Sequence, residues 1–141
     1  MPPMTKPSLK RGDVIAYPYR WARDMARANA PEGGKDRPCC LVLTITSDEG
    51  REVMFLAAIS SKAPHADQAA IEIPDTERRR AGLTRYPQAW IYVDELNRDE
   101  PARSWYLEPR EPLGAFSKNF LAKVAGELRQ RMTGIKVVKR R

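Results

Sequence analysis

Apolar residues in this chain fall into short continuous or alternating runs rather than long helical stripes. Val14-Ile15-Ala16-Tyr17 follows the turn-like Arg11-Gly12-Asp13 and is stopped by Pro18, which predicts a first strand. Pro38 to Ser47 carries the strongest strand signal, because Cys39-Cys40-Leu41-Val42-Leu43-Thr44-Ile45-Thr46 is nearly all apolar or β-branched; it is expected to be central and buried. Ser47-Asp48-Glu49-Gly50 is turn chemistry, and Arg51 to Ser60 resumes the run through Val53, Phe55, Leu56 and Ile59, so an antiparallel hairpin is expected. Ala69 to Ile73, Trp90 to Val93 and Ser104 to Leu107 read as further short strands. Asp75-Thr76-Glu77 before Arg78-Arg79-Arg80 puts acids first and bases last, as a short helix prefers, with Gly82 to end it.

One segment has a helical period. Ser117 can cap a helix over about 118 to 132, Phe116 can staple onto Leu121, and Phe120, Val124, Leu128 and Met132 recur every fourth residue up to Gly134. Between the first two strands, residues 19 to 36 are too long and irregular for a hairpin turn, and a partly helical stretch from Trp21 to Ala28 fits them. Several short, mostly antiparallel strands with one terminal helix predict a mainly β fold, a small SH3-like antiparallel barrel with a C-terminal α-helix. Residues 1–141 read as a single domain, with a flexible Pro-rich leader to about residue 10 and a basic tail from about residue 135.

Charge narrows the partners. The chain has 25 Lys and Arg against 18 Asp and Glu, a formal net charge of +7, which makes a polyanion a plausible partner. No apolar run approaches the roughly 20 residues of a membrane span, and the leader lacks the apolar core of a secretory signal, so a cytoplasmic protein without membrane contact is expected. Cys39 and Cys40 are adjacent, point to opposite faces of a strand and cannot staple distant segments. With one histidine, His65, and that one cysteine pair, a His/Cys metal site is not expected, and no cofactor is implied.

Candidate chemistry collects at strand ends. Arg37, before Pro38 and a buried strand, can fork onto a phosphate. Ser60, Ser61 and Lys62 close another strand with two hydroxyls and an ammonium. Asp94 follows the Trp90 to Val93 strand, where a carboxylate can act as a general base. Trp21 sits among Arg20, Arg23 and Arg27 and offers a base-stacking face, with Lys35 at the end of the same loop. Arg78-Arg79-Arg80 and the basic tail fit phosphate attraction, although charge runs are usually solvated faces. His65, in the polar stretch Pro64-His65-Ala66-Asp67, reads as a solvated side chain rather than a catalytic one.

Taken together, Gly12-Asp13-Val14-Ile15, then Lys35-Asp36-Arg37-Pro38-Cys39-Cys40-Leu41-Val42-Leu43, then Ala57-Ala58-Ile59-Ser60, then Gly82-Leu83 before Val93-Asp94-Glu95-Leu96 resembles the MazF/PemK/Kid family of growth-inhibitor toxins. The resemblance implies a CcdB/MazF-type SH3-like barrel, a homodimer, and metal-independent endoribonuclease activity on single-stranded RNA. It also implies a cognate acidic antitoxin. In the implied mechanism the substrate's 2′-hydroxyl attacks the adjacent phosphate, leaving a 2′,3′-cyclic phosphate and a 5′-hydroxyl. By position, Arg37 would stabilise the phosphorane, Ser60 would supply the hydroxyl, and Asp94 would support them, while Trp21, Arg23, Lys35, Ser61 and Lys62 would bind RNA. Tyr92 stands where some relatives have an arginine, and the first long loop has no histidine. A non-enzymatic barrel that binds a protein target such as a topoisomerase or binds nucleic acid, and an inactive family member, are the alternative readings.

Overall fold

The computed structural model describes residues 9–26, 36–101 and 111–140. Eight strands are present among them: β1 (Asp13–Tyr17), β2 (Arg37–Thr46), β3 (Glu52–Ser60), β4 (Ala70–Glu72), β5 (Trp90–Tyr92), β6 (Glu95–Asp99), β7 (Gly114–Ala115) and β8 (Lys136–Lys139). Two α-helices accompany them, α1 (Asp75–Arg80) and α2 (Lys118–Gln130), and a 3-10 turn spans Ala22–Ala26. The fold is mainly β, as the alternation predicts.

The strands form one sheet in the order β4-β5-β3-β2-β1-β7. β6 branches from β3 and carries β8 on its other side. Neighbours are antiparallel except β6 and β8, which run parallel. The expected closed barrel is therefore not what the described residues form: the sheet stays open, ending at β4 and β7. β3 can serve two strands on one side because its early residues Met54 to Leu56 pair with β6 and its last residues Ile59 and Ser60 pair with β5.

Side-chain alternation buries both faces of this sheet. Val14, Cys40, Val42, Ala57, Ile59 and Ile91 belong to a core that also takes in Phe120, Leu121 and Val124 of α2. Ile15, Tyr17, Cys39, Leu41, Leu56, Ala58 and Tyr92 turn the other way and pack with Tyr19 and Trp21. The adjacent cysteines thus enter different cores, as strand geometry requires, and both are free thiols.

The hairpin forms with its turn at Ser47 to Gly50, but β2 is not buried throughout. Leu41 faces Leu56 and Leu43 faces Phe55, so Val42 is an extra residue on the β2 side. A one-residue bulge re-aims every later side chain. Leu43 and Ile45 accordingly emerge into solvent, 42% and 45% exposed.

The terminal helix matches its predicted start, since the Ser117 hydroxyl accepts a hydrogen bond from the Phe120 N–H at 3.2 Å. Phe116 packs edge-on against Phe120, with ring centroids 4.8 Å apart. Met132, expected on the buried stripe, lies beyond the helix end and is 74% exposed. In the basic tail, residues 136–139 are an edge strand held by β6, with Val138 buried between exposed lysines. The expected strand at Ser104 to Leu107 lies outside the described residues, as do the leader through residue 8 and Lys35.

Candidate functional site

Sheet register brings the strand-end residues together. β2 pairs Cys39 with Ala58, so Arg37 and Ser60, each two residues further out, stand on adjoining strand ends. The period of two also turns both toward the face of Cys39 and Ala58, the face that carries Trp21 and Tyr92. β5 completes this corner by pairing Trp90 with Ser60.

The result is a cleft of about 330 Å³. Trp21, Arg23, Arg37, Ser60, Ser61 and Lys62 all line it, six of the eight residues singled out from the sequence. Lys35 is outside the described residues, and Asp94 is not in the lining. The lining includes two guanidinium groups and an ammonium and, among the described residues, no carboxylate. Such a cleft favours an anion, because three cations converge where part of their solvent is displaced by protein.

Trp21 organises the cations, contrary to its expected role. Only 6% of it is exposed, so it offers little face for a base to stack upon. Tyr19 and Tyr92 meet its ring edge-on at centroid distances of 5.1 and 5.2 Å. The guanidinium carbons of Arg23 and Arg37 lie 5.1 and 5.3 Å from its centre. Cation–π attraction therefore fixes two arginines at the cleft wall. Arg37 Nε is buried and has no hydrogen-bond partner among the described residues.

The segment bearing Trp21 is clamped from β6. Glu95 Oε2 accepts from the Tyr19 hydroxyl at 3.2 Å and from the Ala22 N–H at 2.9 Å. Asn97 accepts the Arg20 N–H at 2.9 Å and donates to the Arg20 carbonyl at 2.8 Å. Burial pushes the Glu95 carboxyl above its usual range, although its two donors and the Arg23 charge oppose the shift. Sequence reading did not reveal this clamp, because Glu95 to Asp99 looks like a polar connection until β3 is seen to pair with it.

On the opposite wall, the Ser60 hydroxyl accepts the Lys62 N–H at 3.1 Å, which leaves its own proton to donate. The Tyr92 hydroxyl donates to the Lys62 carbonyl at 2.9 Å. Burial, with the Asp94 charge adding to it, pushes the Tyr92 hydroxyl above its usual value. Asp94 thus influences the site through its field; its backbone carbonyl accepts the Lys136 N–H at 3.1 Å, and its Oδ1 is buried without a hydrogen-bond partner.

His65, Gln68, Tyr86 and Tyr92 also line the cleft. His65 was set aside as solvated; it is exposed, yet the chain after β3 returns it to the cleft, its N–H held by Gln68 Oε1 at 2.9 Å. Cys39 lies beneath, and burial pushes its thiol well above its usual value, so it is unsuited as a nucleophile.

The arginine run on α1 serves the fold. Arg78 pairs with Asp75 and donates to the Pro87 carbonyl at 2.6 Å, and Arg79 pairs with Asp75 at 3.0 Å. Among the described residues no three His, Cys, Asp or Glu side chains are grouped to hold a metal, and no helix is long and apolar enough to cross a membrane. Comparison with protein-family models and with curated proteins finds no match to this chain.

Proposed function

We propose that the protein is an endoribonuclease that holds a phosphodiester of single-stranded RNA in the cleft and cleaves it through the substrate's own 2′-hydroxyl. The observation that carries this reading is the convergence of Arg37, Ser60, Ser61 and Lys62 on one carboxylate-free cleft. Attack of a 2′-oxygen on phosphorus builds negative charge on the equatorial phosphoryl oxygens. A guanidinium held in place beforehand stabilises that charge without reorganising. Arg37 fills this role, stacked on Trp21, while the Ser60 hydroxyl donates to a phosphoryl oxygen and Lys62 draws the backbone in.

The resemblance to MazF/PemK/Kid toxins extends the proposal. On that reading the open sheet is a variant of the family's SH3-like barrel, the chain works as a cytoplasmic homodimer, and an acidic antitoxin competes with RNA for the cationic cleft. Asp94 stands behind the lining and tunes the site by its charge.

An RNA oligonucleotide and its fully 2′-deoxy counterpart, incubated with the protein in EDTA, test the mechanism. The reading expects cleavage of the RNA alone, with 2′,3′-cyclic phosphate and 5′-hydroxyl ends; equal cleavage of both, or of neither, overturns it. Binding without cleavage is the second reading, favoured by the absence of Asp94 from the cleft lining.

A further inference from the structure

Transfer of the attacking 2′-hydroxyl's proton needs an acceptor within the cleft. The titratable lining residues are Arg23 from the 3-10 turn, Arg37 from β2, Lys62 and His65 from the segment after β3, Tyr86 from the segment after α1, and Tyr92 from β5. Arginine does not give up its proton in proteins, and lysine and tyrosine ordinarily exchange theirs near pH 10. Tyr92 is displaced further upward by its burial and by Asp94. Imidazole alone among these side chains ordinarily changes charge between about pH 5 and 8.

From this elimination we propose that His65 is the general base of the cleft and hence a catalytic residue of the RNA cleavage described above, on which reading the inference rests. His65 is the chain's only histidine. Its position is set by two anchors on the same short segment. Gln68 accepts the His65 N–H at 2.9 Å and returns its own N–H to the His65 carbonyl at 3.0 Å. Upstream, Tyr92 holds the Lys62 carbonyl. The imidazole faces Arg23, Arg37 and Lys62 across the cleft, and Asp67 is the nearest acid on its own segment. These cations favour the neutral imidazole, the form that accepts a proton.

In the step itself, an imidazole nitrogen takes the 2′-hydroxyl proton as the bond from the 2′-oxygen to phosphorus forms. The bond from phosphorus to the 5′-oxygen breaks, the departing oxygen takes a proton from water, and the imidazolium returns its proton to the hydroxide so formed. Charge and atoms balance, with no further co-reactant.

The test follows cleavage of single-stranded RNA against pH by the wild type, His65→Ala and His65→Gln, with thermal unfolding to compare folding. Wild-type activity is expected to fall on the acid side as the base is protonated. Both variants are expected to unfold like wild type, lose about 10²- to 10⁴-fold in rate and lose the acid limb, and His65→Ala is expected to recover with added imidazole. A wild type that cleaves while both variants keep its rate and pH profile overturns the role of His65 and leaves the nuclease reading standing. So does a rate loss in which the acid limb remains and imidazole restores nothing. A wild type inert at every pH overturns the nuclease reading itself, and the assignment of His65 with it.

Discussion

The guanidinium of Arg37 lies over the ring of Trp21, 5.3 Å from its centre, and Arg23 occupies the same ring at 5.1 Å. A ring that might have stacked a base is instead a mount for two cations. Trp21→Leu keeps apolar bulk and removes the ring's quadrupole. Cation–π contacts contribute about 0.5–2 kcal/mol each, so RNA affinity is expected to fall about 2- to 30-fold, with Trp21→Phe falling less. Titration of fluorescently labelled RNA at fixed salt measures it. Equal affinity for Trp21→Leu and wild type would remove Trp21 from the account.

Glu95 makes stability depend on pH. Its folded carboxyl binds a proton more tightly than the unfolded one, whose ordinary value is about 4.3. Its favourable contribution is therefore complete below the unfolded value and is lost as pH rises through the raised folded value. Urea unfolding from acid to neutral pH should show this loss in wild type and a flatter profile in Glu95→Gln, whose amide oxygen still accepts the two clamp bonds. Glu95→Ala abandons Tyr19 and the Ala22 N–H and is expected to cost about 1–3 kcal/mol. Parallel pH profiles for wild type and Glu95→Gln would contradict the assignment.

Tyr17 donates its hydroxyl to Asp99 Oδ2 at 2.6 Å in a fully buried pair. Tyr17→Phe withdraws that donor from a buried carboxylate that also accepts the Glu100 N–H at 2.8 Å. A loss of about 1–3 kcal/mol is expected in denaturant unfolding, and an unchanged midpoint would show that other Asp99 contacts suffice.

Gly114 packs against the end of α1 so tightly that a Cβ there would lie 2.3 Å from the Arg80 carbonyl oxygen. That oxygen is backbone and cannot swing aside. Gly114→Ala should lower stability by about 1–3 kcal/mol, read by thermal unfolding, whereas Gly126→Ala, with open space at its Cβ, should not.

Local chemistry made much of this molecule legible. The hairpin could be read from the Ser47 to Gly50 turn between two apolar runs, and the helix from Ser117 and its four-residue period. Arg37 and Ser60 were legible as strand ends, and strand pairing then set them side by side. What escaped is non-local. Nothing in Leu41-Val42-Leu43 announces that Val42 will bulge and expose Leu43 and Ile45. Lys136 to Lys139 reads as a charged tail because the partner that makes it a strand is some forty residues away. Trp21 was correctly placed at the site but assigned the wrong work, since only the packing of Tyr19, Tyr92 and two arginines shows that its faces are occupied. Asp94 reads as a strand-end base, yet the turn from β5 into β6 carries it out of the cleft lining.

The most direct measurement compares single-turnover cleavage of single-stranded RNA in EDTA by wild type and Arg37→Ala at matched salt. Wild type should cut, and Arg37→Ala, lacking the cation that meets the phosphorane, should be slower by about 10²- to 10³-fold while unfolding at a similar temperature. Wild-type RNA left intact, or an Arg37→Ala protein that cuts at the wild-type rate, would contradict the account.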